Sequence, residues 1–246
     1  MLGLLAGLSL PLANTWAAPL VMVFQTLPPW LATDADGRPS GPYLDFASEI
    51  ARRMGVPLEV RVCPVRRCLA MLERGEADIV LGFTPTEERR RVIEFLDPPF
   101  APPAVMAFFV SRGDTRPLRN YGDLRSRHIG VVDSVRYFPR FDEDTQLAKD
   151  SAPDSPSNMQ KLAAGRVDSA IFNRAEAWWL IRRHHLEGRI VETPYHIELS
   201  VPRYVGLSRR SSFMAHKSRL SAVLRAMTLE GFGAKVLAPI EGRSHP

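Results

Sequence analysis

Leu72-Glu73-Arg74-Gly75-Glu76-Ala77-Asp78-Ile79-Val80-Leu81-Gly82 holds the end of a helix, its stop signal and the strand that follows. Upstream, Val65, Cys68, Leu69 and Leu72 fall at i, i+3, i+4 and i+7, which is one face of a helix. Gly75 stands where a helix C-terminus favours glycine. Ile79-Val80-Leu81 is a short apolar run of the kind buried on both faces of a parallel sheet. Further upstream, Phe46, Ala47, Ile50, Ala51 and Met54 mark another helix, stopped by Gly55. Val56, Leu58, Val60 and Val62 then alternate with Pro57, Glu59 and Arg61, the period of a strand with one buried face. Strand, helix and strand in this rhythm predict a βαβ unit.

Ninety residues later the stretch returns as Leu162-Ala163-Ala164-Gly165-Arg166-Val167-Asp168. Met159, Leu162 and Ala163 give the helix face, Ser169-Ala170-Ile171-Phe172 the buried strand, and Ile129-Gly130-Val131-Val132 an earlier strand of the same region. Two copies predict two α/β lobes rather than one continuous sheet. Open α/β sheets bind ligands beyond the carboxyl ends of their strands. Those positions hold Gly82-Phe83-Thr84 in the first lobe and Asn173 in the second. Facing each other, they predict a small-molecule site in the cleft between the lobes.

The ends and the composition narrow the class. The chain has 246 residues, 45% apolar and 24% charged, ordinary for a soluble globular protein. Residues 1–13 are uncharged and mostly Leu, Ala and Gly, and Asn14 to Ala18 follow with small residues. That is the pattern of a secretory signal peptide, with cleavage expected after Ala17, although no Lys or Arg precedes the apolar run. A buried N-terminal helix is the alternative. The run is too short to span a bilayer, which takes roughly 20 apolar residues. Export predicts a periplasmic, soluble protein, expected to be a monomer. The net charge of +5 is dispersed among acids, with no basic tract, so no nucleic-acid partner is expected. Cys63 and Cys68 are the only two cysteines, and in an oxidising compartment they are expected to pair as a disulfide rather than remain free thiols.

Three further motifs complete a signature. Gly41-Pro42-Tyr43-Leu44-Asp45-Phe46 leads into Glu49-Ile50-Ala51-Arg52-Arg53-Met54-Gly55. Thr84-Pro85-Thr86-Glu87-Glu88-Arg89 follows the first buried strand, and Phe95-Leu96-Asp97-Pro98-Pro99-Phe100 comes next. From about Leu20 to Leu237 the chain resembles the amino-acid-type (family 3) solute-binding proteins of ABC transporters, most specifically in its first half. The resemblance implies the type II periplasmic binding fold, α/β and two-lobed, each lobe a mixed, mostly parallel sheet flanked by helices. It implies a first lobe built from 18–102 and 203–246, a second from 103–202, and a two-segment hinge near 101–103 and 199–203. It also implies hinge closure on a small ligand and an inner-membrane ABC permease or a sensor as partner.

The resemblance gives Arg89 the leading role, because a guanidinium matches a ligand carboxylate with paired donors. Gly82 and Thr84 are expected beside it, while Arg90 and Arg91 read as a solvated face. Trp30 and Tyr43 are candidates for an aromatic wall, although a tyrosine at position 43 more often packs in the core, and Gln25 is a weaker polar candidate. Arg66, in Cys63-Pro64-Val65-Arg66-Arg67-Cys68, opens a helix on the cleft side. In the second lobe Ser134 and Arg136 stand where relatives carry a small-residue loop. Asn173 occupies the position at which the family places an aspartate for the ligand's α-ammonium. A neutral amide there predicts weak binding of zwitterionic amino acids, unless Glu176, one turn on, substitutes.

His184-His185 does not read as a metal pair, since helix neighbours point about 100° apart, and no cofactor is expected. No Gly-x-Ser-x-Gly, Walker, His-Glu-x-x-His or Cys-x-x-Cys motif occurs. The chain therefore reads as a binding protein and not an enzyme. The alternative is a periplasmic dehydratase on the same fold, similar to cyclohexadienyl dehydratases.

Overall fold

A computed structural model describes residues 18–33, 36–133 and 135–241; the signal-peptide segment and Ser134 lie outside them. The chain opens with strand β1 (Leu20–Phe24), the paired strands β2 (Ala32–Thr33) and β3 (Pro39–Ser40), and helix α1 (Pro42–Met54). Strand β4 (Leu58–Val62), helix α2 (Val65–Arg74), strand β5 (Ile79–Leu81), helix α3 (Glu87–Arg90) and strand β6 (Ile93–Ala101) follow. The middle of the chain gives β7 (Val105–Ser111), β8 (His128–Val132), α4 (Pro139–Glu143), β9 (Ala148–Ala152), α5 (Ser155–Ala163), β10 (Ser169–Asn173) and α6 (Arg174–Arg183). Strands β11 (Ile190–Glu198) and β12 (Arg203–Ser208) precede the closing helices α7 (Lys217–Leu229) and α8 (Phe232–Glu241).

Two five-stranded sheets result, ordered β4-β1-β5-β12-β6 and β11-β7-β10-β8-β9. In the first, β1 runs parallel to β4 and β5, and β12 runs antiparallel to β5 and β6. In the second, β8 runs parallel to β9 and β10, and β7 antiparallel to β10 and β11. The chain leaves the first sheet at Ala101, enters the second at Val105, and returns between Glu198 and Arg203.

Local sequence explains the elements. Helix α1 has Pro42 in its first turn and ends on Gly55 at φ 73, the left-handed cap. It buries Tyr43, Phe46, Ala47, Ile50, Ala51 and Met54, the apolar stripe plus Tyr43. Each large apolar side chain so buried contributes roughly 1.5–3 kcal/mol. On the opposite face Glu49 pairs with Arg52 and Arg53.

Three features differ from the sequence reading. Strands β4 and β5 are not neighbours, because β1 lies between them, so helix α2 crosses over β1. Strand β4 is an edge, and its apolar side chains are only half-buried, with Val62 49% exposed. Strand β9 was not foreseen: Ala148-Lys149-Asp150-Ser151-Ala152 is polar because it too lies at a sheet edge, where one flank needs no apolar partner.

The lobes touch through the C-terminal helix. Phe232, Val236 and Ile240 of α8 pack on the first lobe's core cluster, and that cluster includes Ala175 from the second lobe's α6.

Candidate functional site

The first lobe's rim is shaped where β5 ends. Gly82 takes φ +84, and a Cβ there would stand 3.0 Å from the Tyr43 ring. Glycine serves both the backbone conformation and the close approach. Thr84 follows, exposed, and its carbonyl accepts a hydrogen bond from the Arg89 guanidinium at 3.1 Å. Thr86 caps α3 by accepting the Arg89 backbone N–H at 3.2 Å. The guanidinium also lies 4.8 Å from the centre of the Phe83 ring. Arg89 is thus folded back over the turn, half-buried, with no carboxylate partner among the described residues. Burial pushes its pKa down from the ordinary value, but a guanidinium stays charged. Arg90 stacks over Phe95 instead, and both it and Arg91 are exposed.

Trp30 and Tyr43 lie inside the first lobe, 3% and 2% exposed, with ring centres 6.4 Å apart. Tyr43 meets Phe100 edge-on at 5.2 Å. Its hydroxyl accepts a hydrogen bond from Arg203 at 3.4 Å. Gln25, Arg66 and Arg136 are exposed. The Cys63–Cys68 disulfide, with Cα atoms 5.5 Å apart, ties the start of α2, and hence Arg66, to the end of β4. His184 caps α6 and His185 takes φ 54. No His, Cys, Asp and Glu group able to hold a metal occurs among the described residues.

In the second lobe Asn173 ends β10 and caps α6, its Oδ1 accepting the Ala175 N–H at 3.0 Å. It lines a cavity of about 250 Å³ with Pro102 to Val105, Arg174, Ala175, Trp178, Arg203 and Ile240. This cavity sits where both crossing segments meet the carboxyl end of β10, the side on which open α/β sheets take ligands. A larger hollow of about 530 Å³, lined by Arg125, Arg127, His128, Arg166 and Asp168, opens at the amino ends of β8 and β10. That is the wrong end of the strands for such a site, and the smaller cavity is the better candidate.

Arg203 links the two halves. Its Nε donates to the Pro102 carbonyl at 2.9 Å, it reaches the Tyr43 hydroxyl, and it lines the cavity with Asn173. The sequence reading placed it in the hinge without giving it a site role. The available signal was a lone cation at the start of the returning strand. Arg174 is the other cation on the cavity wall, paired with Glu192 at 2.7 Å. Trp178 donates its indole N–H to the same carboxylate at 3.0 Å.

The sequence pattern of the bacterial extracellular solute-binding proteins, family 3, matches residues 20–228. The chain belongs to this family. It is 25% identical over 166 residues to the L-cystine-binding protein TcyJ of two Escherichia coli strains, a stretch that is 67% of this chain and 62% of that relative. The matched stretch thus spans less than two thirds of the relative's length. Among solved structures, an ancestral arginine-binding protein bound to arginine superposes with a TM-score of 0.73 at 22% identity, over 92% of this chain and 99% of the other. A histidine kinase sensor domain with similarity to periplasmic binding proteins gives 0.71 at 22% identity, over 94% and 99%. At such identities these two likenesses speak for the two-lobed fold of this solute-binding protein.

Proposed function

We propose that this family 3 solute-binding protein is a periplasmic receptor that captures a small, carboxylate-bearing, amino-acid-like ligand between its lobes. The supporting observation is Arg89, a half-buried cation at the first lobe's rim with no carboxylate partner among the described residues. In the proposed complex Arg89 forks onto the ligand carboxylate, Thr84 and Gly82 frame it, and Asn173 meets the ligand from the second lobe. The crossing segments near 101–103 and 199–203 act as the hinge, and the closed form is presented to an ABC permease or a sensor. The described relatives are binding proteins, which favours a receptor over the dehydratase alternative.

Arg89→Ala should lose on the order of 2–5 kcal/mol of ligand binding while folding persists. Calorimetry with the captured ligand checks it, and unchanged affinity would refute the role of Arg89. At about 100 times Kd the unmodified protein should gain about 2.7 kcal/mol of stability, and the variant much less. Turnover of a prephenate-like substrate would instead establish the enzyme.

A further inference from the structure

At the carboxyl ends of β8, β9 and β10 the nearby carboxyl groups already have partners. Asp133, after β8, accepts the Ser151 hydroxyl. Asp154, after β9, caps α5 by accepting the Ser157 N–H at 2.7 Å. Glu176, in the first turn of α6, takes the Ser155 hydroxyl, and burial pushes its carboxyl up to about 7, so it is not a ready anion. Asn173, at the end of β10, has no charge.

The amide of Asn173 has a fixed sense. Its Oδ1 faces the Ala175 N–H at 3.0 Å, and the reversed amide would set donor against donor. Both Nδ2 hydrogens are left without a partner among the described residues, on the wall of the 250 Å³ cavity. Among the described residues the charged groups on that wall are Arg174, paired with Glu192, and Arg203. An ammonium reaching Asn173 would meet amide donors, and the carboxylate beside this wall, Glu192, is already engaged by Arg174 and Trp178, so its lost water would not be replaced. A carboxylate or keto oxygen would be met by the amide hydrogens.

We propose that the interlobe cavity takes small organic acids without a free ammonium, such as dicarboxylates and 2-oxo acids, and discriminates against zwitterionic amino acids. This rests on the receptor reading above and names its ligand class. The test is calorimetric titration of the full chain with 2-oxoglutarate, glutarate and pyruvate against L-glutamate, L-alanine and L-arginine. At least one acid should bind ten-fold or more tighter than every amino acid. Asn173→Asp keeps an equally good helix cap, and it should weaken the acid ten-fold or more while admitting amino acids. Asn173→Ala should weaken the acid and admit nothing. Tighter binding of an amino acid than of any acid by the unmodified protein would overturn the ligand class and leave the receptor standing. Binding of neither set would overturn both.

Discussion

Asp78 and Asp168 do the same work in the two lobes. Asp78 takes the Val21 N–H on its carboxylate at 2.8 Å and gives its own N–H to the Val21 carbonyl. Asp168 does this with His128, again at 2.8 Å. Each therefore locks the start of its own strand to the start of the parallel neighbour, and Gly75 and Gly165, both at positive φ, turn the chain toward it. The Gly-x-x-Asp echo in the sequence is the trace of this device. Asp78→Ala would strand the Val21 N–H and the Ser211 hydroxyl, which also bonds this carboxylate, at a buried site. Its expected cost is about 1–3 kcal/mol, read from urea unfolding. Glu176 supplies a pH-dependent counterpart. Its folded pKa is raised from 4.5 to about 7, so between these values the folded protein keeps a proton that the unfolded chain has lost. Stability contributed by this residue must fall as pH rises through that window. Glu176→Gln should therefore gain stability over the unmodified protein at pH 8 and show little gain at pH 4, in paired denaturation curves.

Elements are joined by two reinforcements of different legibility. The Cys63–Cys68 bridge was foreseen from composition and compartment. Reducing it should cost about 2 kcal/mol, the chain-entropy value for so small a loop, and unreduced, denatured protein should show no free thiols. The second reinforcement was not foreseen. After β7, Asp114 binds both Arg116 and Arg127 at 2.8 Å, and Arg116 also reaches Asp168 at 2.8 Å. The Arg127 side chain is fully buried, so removing Asp114 leaves a buried cation uncompensated. Asp114→Ala should destabilise the protein by about 3–5 kcal/mol at pH 7. The hydrogen bond from Arg116, above all, holds the Asp114 carboxyl well below its ordinary 3.8. Its stabilisation is present above that value and is lost as pH falls through the depressed one, so the difference between variant and parent should shrink in acid. These four residues are separated by up to 54 positions, 114 to 168, and no spacing rule connects them.

Over the whole molecule, α8 packs on the first lobe and touches the second at Ala175. Gly233 lies so close to strand β6 that an added Cβ would stand 2.0 Å from the Phe100 carbonyl oxygen. Gly233→Ala must lift α8 from its seat, and overpacking of this kind costs about 1–3 kcal/mol. Because Ile240, about two turns on along the same helix, lines the cavity with Ala175, the variant should also change ligand affinity, whereas Asp78→Ala should not. Titration of both variants with the same acid checks this.

Local and periodic features were legible along the chain: the stripes of α1 and α2, their glycine stops, the doubled unit, and the motifs that mark the family. Helix and strand periods are written in every few residues, and left-handed caps call for glycine wherever they fall. Which strands are neighbours, that β1 divides β4 from β5, and that polar Ala148 to Ala152 is an edge strand came from the folded chain. It alone set Arg203 and Asn173 on the wall of one cavity and committed the Asn173 Oδ1 to the Ala175 N–H. Those facts depend on contacts between residues far apart in the chain, whose packing and hydrogen bonding no local pattern encodes.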